Sequence, residues 1–143
     1  MTGHDGGRGA APVVIQPPGW PRPKGYSSGI LMQGTRLLFI AGQVAWDAQG
    51  HIIGPAFPDQ FRQALLNVLA VLNTAGGSPT DIGRLTIYVT DAADYAAHAR
   101  EVGAVYRALM GQHYPAMTLV QVAALLEEGA TVELEATAVL PTE

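Results

Sequence analysis

Between Pro58 and Gly76 the apolar residues Phe61, Leu65, Val68, Leu72 and Ala75 recur at intervals of four and three, one stripe along a helix. Phe57-Pro58-Asp59 supplies a proline and an acid for its first turn, and Gly76-Gly77 supplies its stop. The period then changes. In "RLTIYVT" (84–90) Leu85, Ile87 and Val89 alternate with Thr86, Tyr88 and Thr90, the pattern of a strand. An alanine-rich segment from about Asp94 to Met110 predicts a second helix, capped by Asp91 or Asp94. Strands are predicted at about 117–122 and at 131–139. Upstream, "GILMQGTRLLFIAGQ" holds two apolar runs around Gly34-Thr35, which predicts a hairpin with strands near 29–33 and 36–41. The order β-β-α-β-α-β-β predicts an α+β sandwich, a mixed sheet with two helices on one face.

The last strand carries chemistry as well as packing. Val132, Leu134, Ala136 and Ala138 share one face, small and apolar enough to lie under helices, while Glu133, Glu135 and Thr137 share the other. A plain solvated strand would carry those acids equally well. If neighbouring subunits cover the helix-free face, Glu133 and Glu135 lie in or beside an intersubunit cleft, where a carboxylate can act as general acid/base or orient a water. Met117 opens the preceding strand where the chain leaves the second helix, a rim position that is either packing or the wall of a site.

Composition sharpens the question of subunits. Apolar residues make up 48% of the 143, but charged residues only 14%, against ~25% in ordinary domains. A surface so poor in charge is economically covered by copies of the same chain, although Gln, Thr, Ser and Gly would also solvate it. Residues 1–24, rich in Gly and Pro, are expected to form a flexible N-terminal segment that neither nucleates a helix nor pairs well as a strand, with Trp20 tacking its end onto the domain. The N-terminus lacks a charged segment followed by an apolar core, and no apolar run approaches the ~20 residues of a membrane span. A cytoplasmic protein without membrane contact is the expectation.

Several chemistries lack their residues. There is no cysteine, hence no disulfide framework and no thiolate ligand or nucleophile. His4, His51, His98 and His113 are scattered without metal-ligand spacing, so no metal site is expected. Ser27, Ser28 and Ser78 form no G-x-S-x-G elbow, and Lys24, the sole lysine, sits in no phosphate loop. Eight dispersed basic residues and a net charge of −4 give a nucleic-acid groove little support. No cofactor is called for.

"LLFIAGQVAWDAQGHIIG", "TAGGSPTDIGRLTIYVTDAADY" and "YPAMTLVQVAALLEEGATVELEATAV" together resemble the Rid family, also called YjgF or L-PSP endoribonuclease-like. The resemblance covers about residues 25–140 and makes 25–143 a Rid-like domain. Its most specific pieces are the Gly42-Gln43 turn, the "AGG…DI…YVTD" block and the closing "VELEA" strand. It implies a chorismate-mutase-like fold assembled as a homotrimer with three intersubunit clefts. It also implies hydrolysis of reactive imines or enamines to a carbonyl compound and ammonia, with Glu133 positioning the attacking water. Tyr26, Gly42, Gln43 and Glu133 match the family's site.

Three positions depart from it. Active deaminases of the family carry an arginine directly after Pro-Ala, a bidentate clamp for the substrate carboxylate; here Pro115-Ala116 is followed by Met117. A thioether neither donates a hydrogen bond nor neutralises an acid. Losing charge-assisted contacts of ~1.5–3 kcal/mol each weakens imino-acid binding by at least ~10-fold. Gly103 falls where the family has an asparagine, and Ala41 where a serine commonly precedes Gly-Gln. The expectation is therefore an imine or enamine deaminase acting on a substrate not held by a carboxylate–arginine clamp. The alternative is a non-catalytic trimer that binds a small metabolite. Arg100 or Arg107, reaching in from the second helix, is a possible substitute for the clamp. The ribonuclease activity claimed for some relatives is opposed by the acidic charge balance.

Overall fold

The computed structural model describes residues 10–142. A four-stranded sheet in the order β3-β6-β4-β5 is built from β3 (Arg36–Gln43), β4 (Ile82–Val89), β5 (Ala116–Gln121) and β6 (Val132–Leu140). β6 runs antiparallel to both β3 and β4, while β5 lies parallel to β4, which makes the sheet mixed. The parallel pair is joined through the helices α2 (Ala92–Ala97) and α3 (Ala99–Met110), and α1 (Phe57–Thr74) links β3 to β4.

The helix stripe packs as its spacing predicts. Phe61, Leu65, Val68 and Leu72 are all essentially fully buried, and α3 adds Val102, Tyr106 and Met110 at intervals of four. They lie on Leu85, Ile87 and Val89 of β4 and on Val132, Leu134, Ala136 and Ala138 of β6. Alanines at 136 and 138 leave room for the bulkier α1 side chains above the sheet. At the end of α1, Gly76 takes φ 86° and the Gly77 N–H bonds back to Leu72 O at 2.9 Å. Among the described residues no helix covers the opposite sheet face. It exposes Leu37, Phe39 and Val120 beside Thr86, Tyr88, Glu133 and Glu135.

Four local expectations change. Gly34-Thr35 does not close a hairpin: β2 (Gly29–Leu31) pairs instead with β1 (Val13–Ile15) in a separate two-stranded sheet, and β3 pairs with β6. A Cβ on Gly34 would lie 2.5 Å from Leu140 O, so this glycine permits the chain to cross close to the end of β6. Val13–Ile15, inside the Gly/Pro-rich segment, does pair as a strand, because its three residues fall between the prolines. Trp20 is 62% exposed and is not part of the core. The second helix is split at His98 (φ −112°, ψ 18°), and Asp91 caps its first part by accepting from the N–H groups of Ala93 and Asp94.

Candidate functional site

Two concave regions bring together the residues singled out from the sequence, and they lie on opposite faces of the sheet. The first is a cleft of about 400 Å³ between α3 and β5. Met117 pairs in register with buried Leu85 and packs on the core side of β5, where it lines this cleft together with Gly103, Arg107, Lys24 and Gly25. The Tyr106 and Tyr114 rings stack at 5.4 Å and 15° to form part of its floor. Burial, with Tyr114 alongside, pushes the Tyr106 hydroxyl well above the usual tyrosine range, and that hydroxyl donates to His113 O at 2.6 Å. Tyr106 is thus a permanent donor committed to the backbone.

The cleft's outer rim is set by a short edge contact. Ser27 bridges to Ala116 at the start of β5; its N–H bonds to Pro115 O at 3.1 Å and its hydroxyl donates to Tyr114 O. The Pro115 carbonyl, directly ahead of β5, is thereby satisfied by the Ser27 amide. This bond holds Lys24 and Gly25 at the cleft and leaves Tyr26, 45% exposed, between them and Ser27.

The second region is on the helix-free face. Between Ile40 and Gln43, β3 advances three residues while β6 advances two, from Ala136 to Leu134, a bulge that falls on Ala41-Gly42. There the Glu133 carboxylate lies directly on the Gly42 backbone: a Cβ at 42 would collide with Glu133 Oε1. Gln43 turns inward, donating to Ala41 O at 3.2 Å and accepting from Trp46 Nε1 at 3.3 Å. Glu135, two residues along, accepts a 2.5 Å bond from the Tyr88 hydroxyl on β4. That bond, first among its causes, raises the Tyr88 pKa above its ordinary value. A depression of about 390 Å³ beside it is lined by Phe39, Ala41, Arg84, Thr86 and Glu135.

One chain therefore groups Met117, Gly103 and the segment carrying Tyr26 on one side, and Ala41, Gly42, Gln43 and Glu133 on the other. Glu133 pairs with Tyr88, and Met117 with Leu85, at positions of opposite parity on β4. Arg107 reaches the cleft, whereas Arg100 is not among its lining residues. Sequence reasoning missed the Tyr88–Glu135 pair and Ser27. The alternation of Tyr88 with Leu85 and Ile87 put Tyr88 on the helix-free face, but only the register of β4 on β6 sets it beside Glu135. Among the described residues no three His, Asp or Glu side chains gather where they could hold a metal ion, and no helix is long and apolar enough to cross a membrane.

A mixed sheet under two principal helices, with a carboxylate seated on a bulged glycine, defines a small α+β domain of the YjgF/Rid type. The family model described as endoribonuclease L-PSP matches residues 21–140, and the chain belongs to that family. A RutC family protein of Pyrococcus horikoshii is 36% identical over 119 residues, covering 82% of this chain and 90% of its own. A goat (Capra hircus) protein named 2-iminobutanoate/2-iminopropanoate deaminase is 33% identical over 130 residues, covering 90% and 84%. Among solved structures, the Rid-family protein YyfB of Yersinia pestis superposes with a TM-score of 0.78 at 36% identity, over 92% of this chain and all of its own.

Proposed function

We propose that the protein hydrolyses a reactive imine or enamine to a carbonyl compound and ammonia, in clefts completed between the subunits of a homotrimer. The observation that carries this reading is the Glu133 carboxylate held against the Gly42 backbone. A carboxylate so seated can take a proton from water as that water attacks the imine carbon and pass it to nitrogen, then relay the carbinolamine hydroxyl proton to the same nitrogen as the C–N bond breaks, so that the carbonyl forms and ammonia leaves. Relatives named as iminobutanoate deaminases support this chemistry. The exposed Leu37, Phe39 and Val120 on the helix-free face support the assembly. The Met117 cleft of one copy and the Glu133 face of another would then form one site, with an apolar wall in place of an arginine on β5.

Glu133→Gln, measured by ammonia release from a short-lived imine generated in situ, is expected to lose about 100-fold or more of the acceleration. Gly42→Ala, which drives a Cβ into the carboxylate, is expected to follow it. A wild type that accelerates no release over buffer, with neutral imine donors included, sinks the hydrolytic reading. Met117, unable to donate a hydrogen bond, is what favours the second reading, a trimer that binds a small and partly apolar metabolite without turning it over.

A further inference from the structure

Gly103 sits in the middle of α3, where glycine costs helix stability relative to alanine. Its neighbour explains what that cost permits. A helical side chain leans toward the N-terminus and covers the turn before its own Cα, so Arg107 lies over position 103. There its Nη1 comes within 3.3 Å of where a Cβ would be. The absent side chain leaves room for the guanidinium at the mouth of the Met117 cleft, which it lines. The guanidinium makes no hydrogen bond or ion pair among the described residues. Lys24 lines the same mouth, and among the described residues no acidic one lines the cleft.

Behind these two cations the lining is Met117, Phe61 and three tyrosines, of which Tyr106 is already bonded to the backbone. An apolar chamber with a positively charged rim recognises a ligand that is apolar at one end and anionic at the other. We propose that Arg107, assisted by Lys24, is the specificity-determining residue of this site, and that it selects a carboxylate whose aromatic or apolar body rests on Met117 and the Tyr106–Tyr114 stack. The acid is then held from the helix instead of the strand, one residue type restored at a new position. This rests on the proposed function in taking the cleft as the ligand site, but it concerns binding, not turnover.

The test is equilibrium binding of phenylacetate and its neutral isostere phenylacetamide to the intact protein, followed by calorimetry or NMR. The wild type is expected to prefer the acid by about tenfold or more at low salt. Arg107→Gln is expected to abolish most of that preference while leaving amide binding within about twofold, which also reports an intact fold; Arg107→Lys retains part of it. Equal binding of acid and amide by the wild type, no binding of either, or an unchanged preference in Arg107→Gln overturns the proposal. Glu133→Gln separates the two readings. Lost turnover with the acid preference intact leaves both standing, turnover without any acid preference removes this inference alone, and an acid preference in a protein that accelerates no imine removes the hydrolytic reading alone.

Discussion

Phe39, midway along the edge strand β3, is 73% exposed on the helix-free face beside Leu37, and Phe39→Asp tests whether copies of the chain cover that face. A phenylalanine carries ~200 Å² of buriable surface, so about three quarters of it leaves ~150 Å² to remove from water. At ~25 cal/mol per Å² that is ~4 kcal/mol per copy, or ~12 kcal/mol across a trimer. Halving the sum for incomplete burial leaves ~6 kcal/mol, a change of about four decades in the three-body association constant. The midpoint concentration follows the square root of that constant, so it moves by about two orders of magnitude. The aspartate adds a desolvation penalty in the same direction. Sedimentation velocity over a dilution series would show the wild type as trimers and the variant dissociating at about a hundredfold higher concentration. Circular dichroism checks that the monomer keeps its fold. A wild type that sediments as a monomer, or an aspartate variant with the wild-type profile at every concentration, refutes the reasoning.

Two further outcomes concern the scaffold. Gln60 is fully buried in α1, donating to Gly54 O and Gly129 O and accepting from the N–H and hydroxyl of Thr131. Gln60→Leu strands those groups at ~1–3 kcal/mol for each one left unsatisfied, so urea denaturation should show a loss of about 3 kcal/mol or more; a loss below about 1 kcal/mol would mean the loops re-pair elsewhere. His98 has a raised pKa, chiefly through its bond to Asp94 O and secondarily through the Asp94 carboxylate. Its contribution to the α2–α3 junction is therefore complete below the unfolded histidine value, ~6.5, and is lost as pH rises through the higher folded value. An NMR titration should place the folded midpoint above that of the unfolded chain, with Asp94→Asn lowering it only in part; a midpoint at or below ~6.5 contradicts the assignment.

What could be read from the sequence was what periodicity controls. The α1 stripe and the alternation of β4 and β6 each reflect one element facing one core, so local spacing already contains the answer. The misplaced hairpin shows the limit: "GILMQGTRLLFIAGQ" has hairpin composition, yet the preference of β2 for β1 and of β3 for β6 is decided by residues far away in the chain. The same holds for the site. Glu133 could be placed on the helix-free face from alternation, and the family resemblance singled out Gly42, but that the two meet at the bulge depends on the register of β3 on β6. No local signal could show that Met117, four residues after His113, would point to the other side of the sheet. That depends on the parallel register of β5 with Leu85. The sequence left Arg100 and Arg107 as alternatives, and only the structure separates them, placing Arg107 at the cleft above the bare turn of Gly103.

The division of these residues between two faces has a genetic consequence. If a working cleft draws Met117 and Arg107 from one subunit and Glu133 from the next, no single chain owns an active site. A variant lacking Glu133 and another whose Met117 cleft is blocked, each inert alone, would then regenerate intact clefts when reassembled together, because some junctions receive both unmutated halves. Conversely, one defective allele would poison clefts shared with healthy neighbours, so the damage from a mutation would be counted per junction and not per chain.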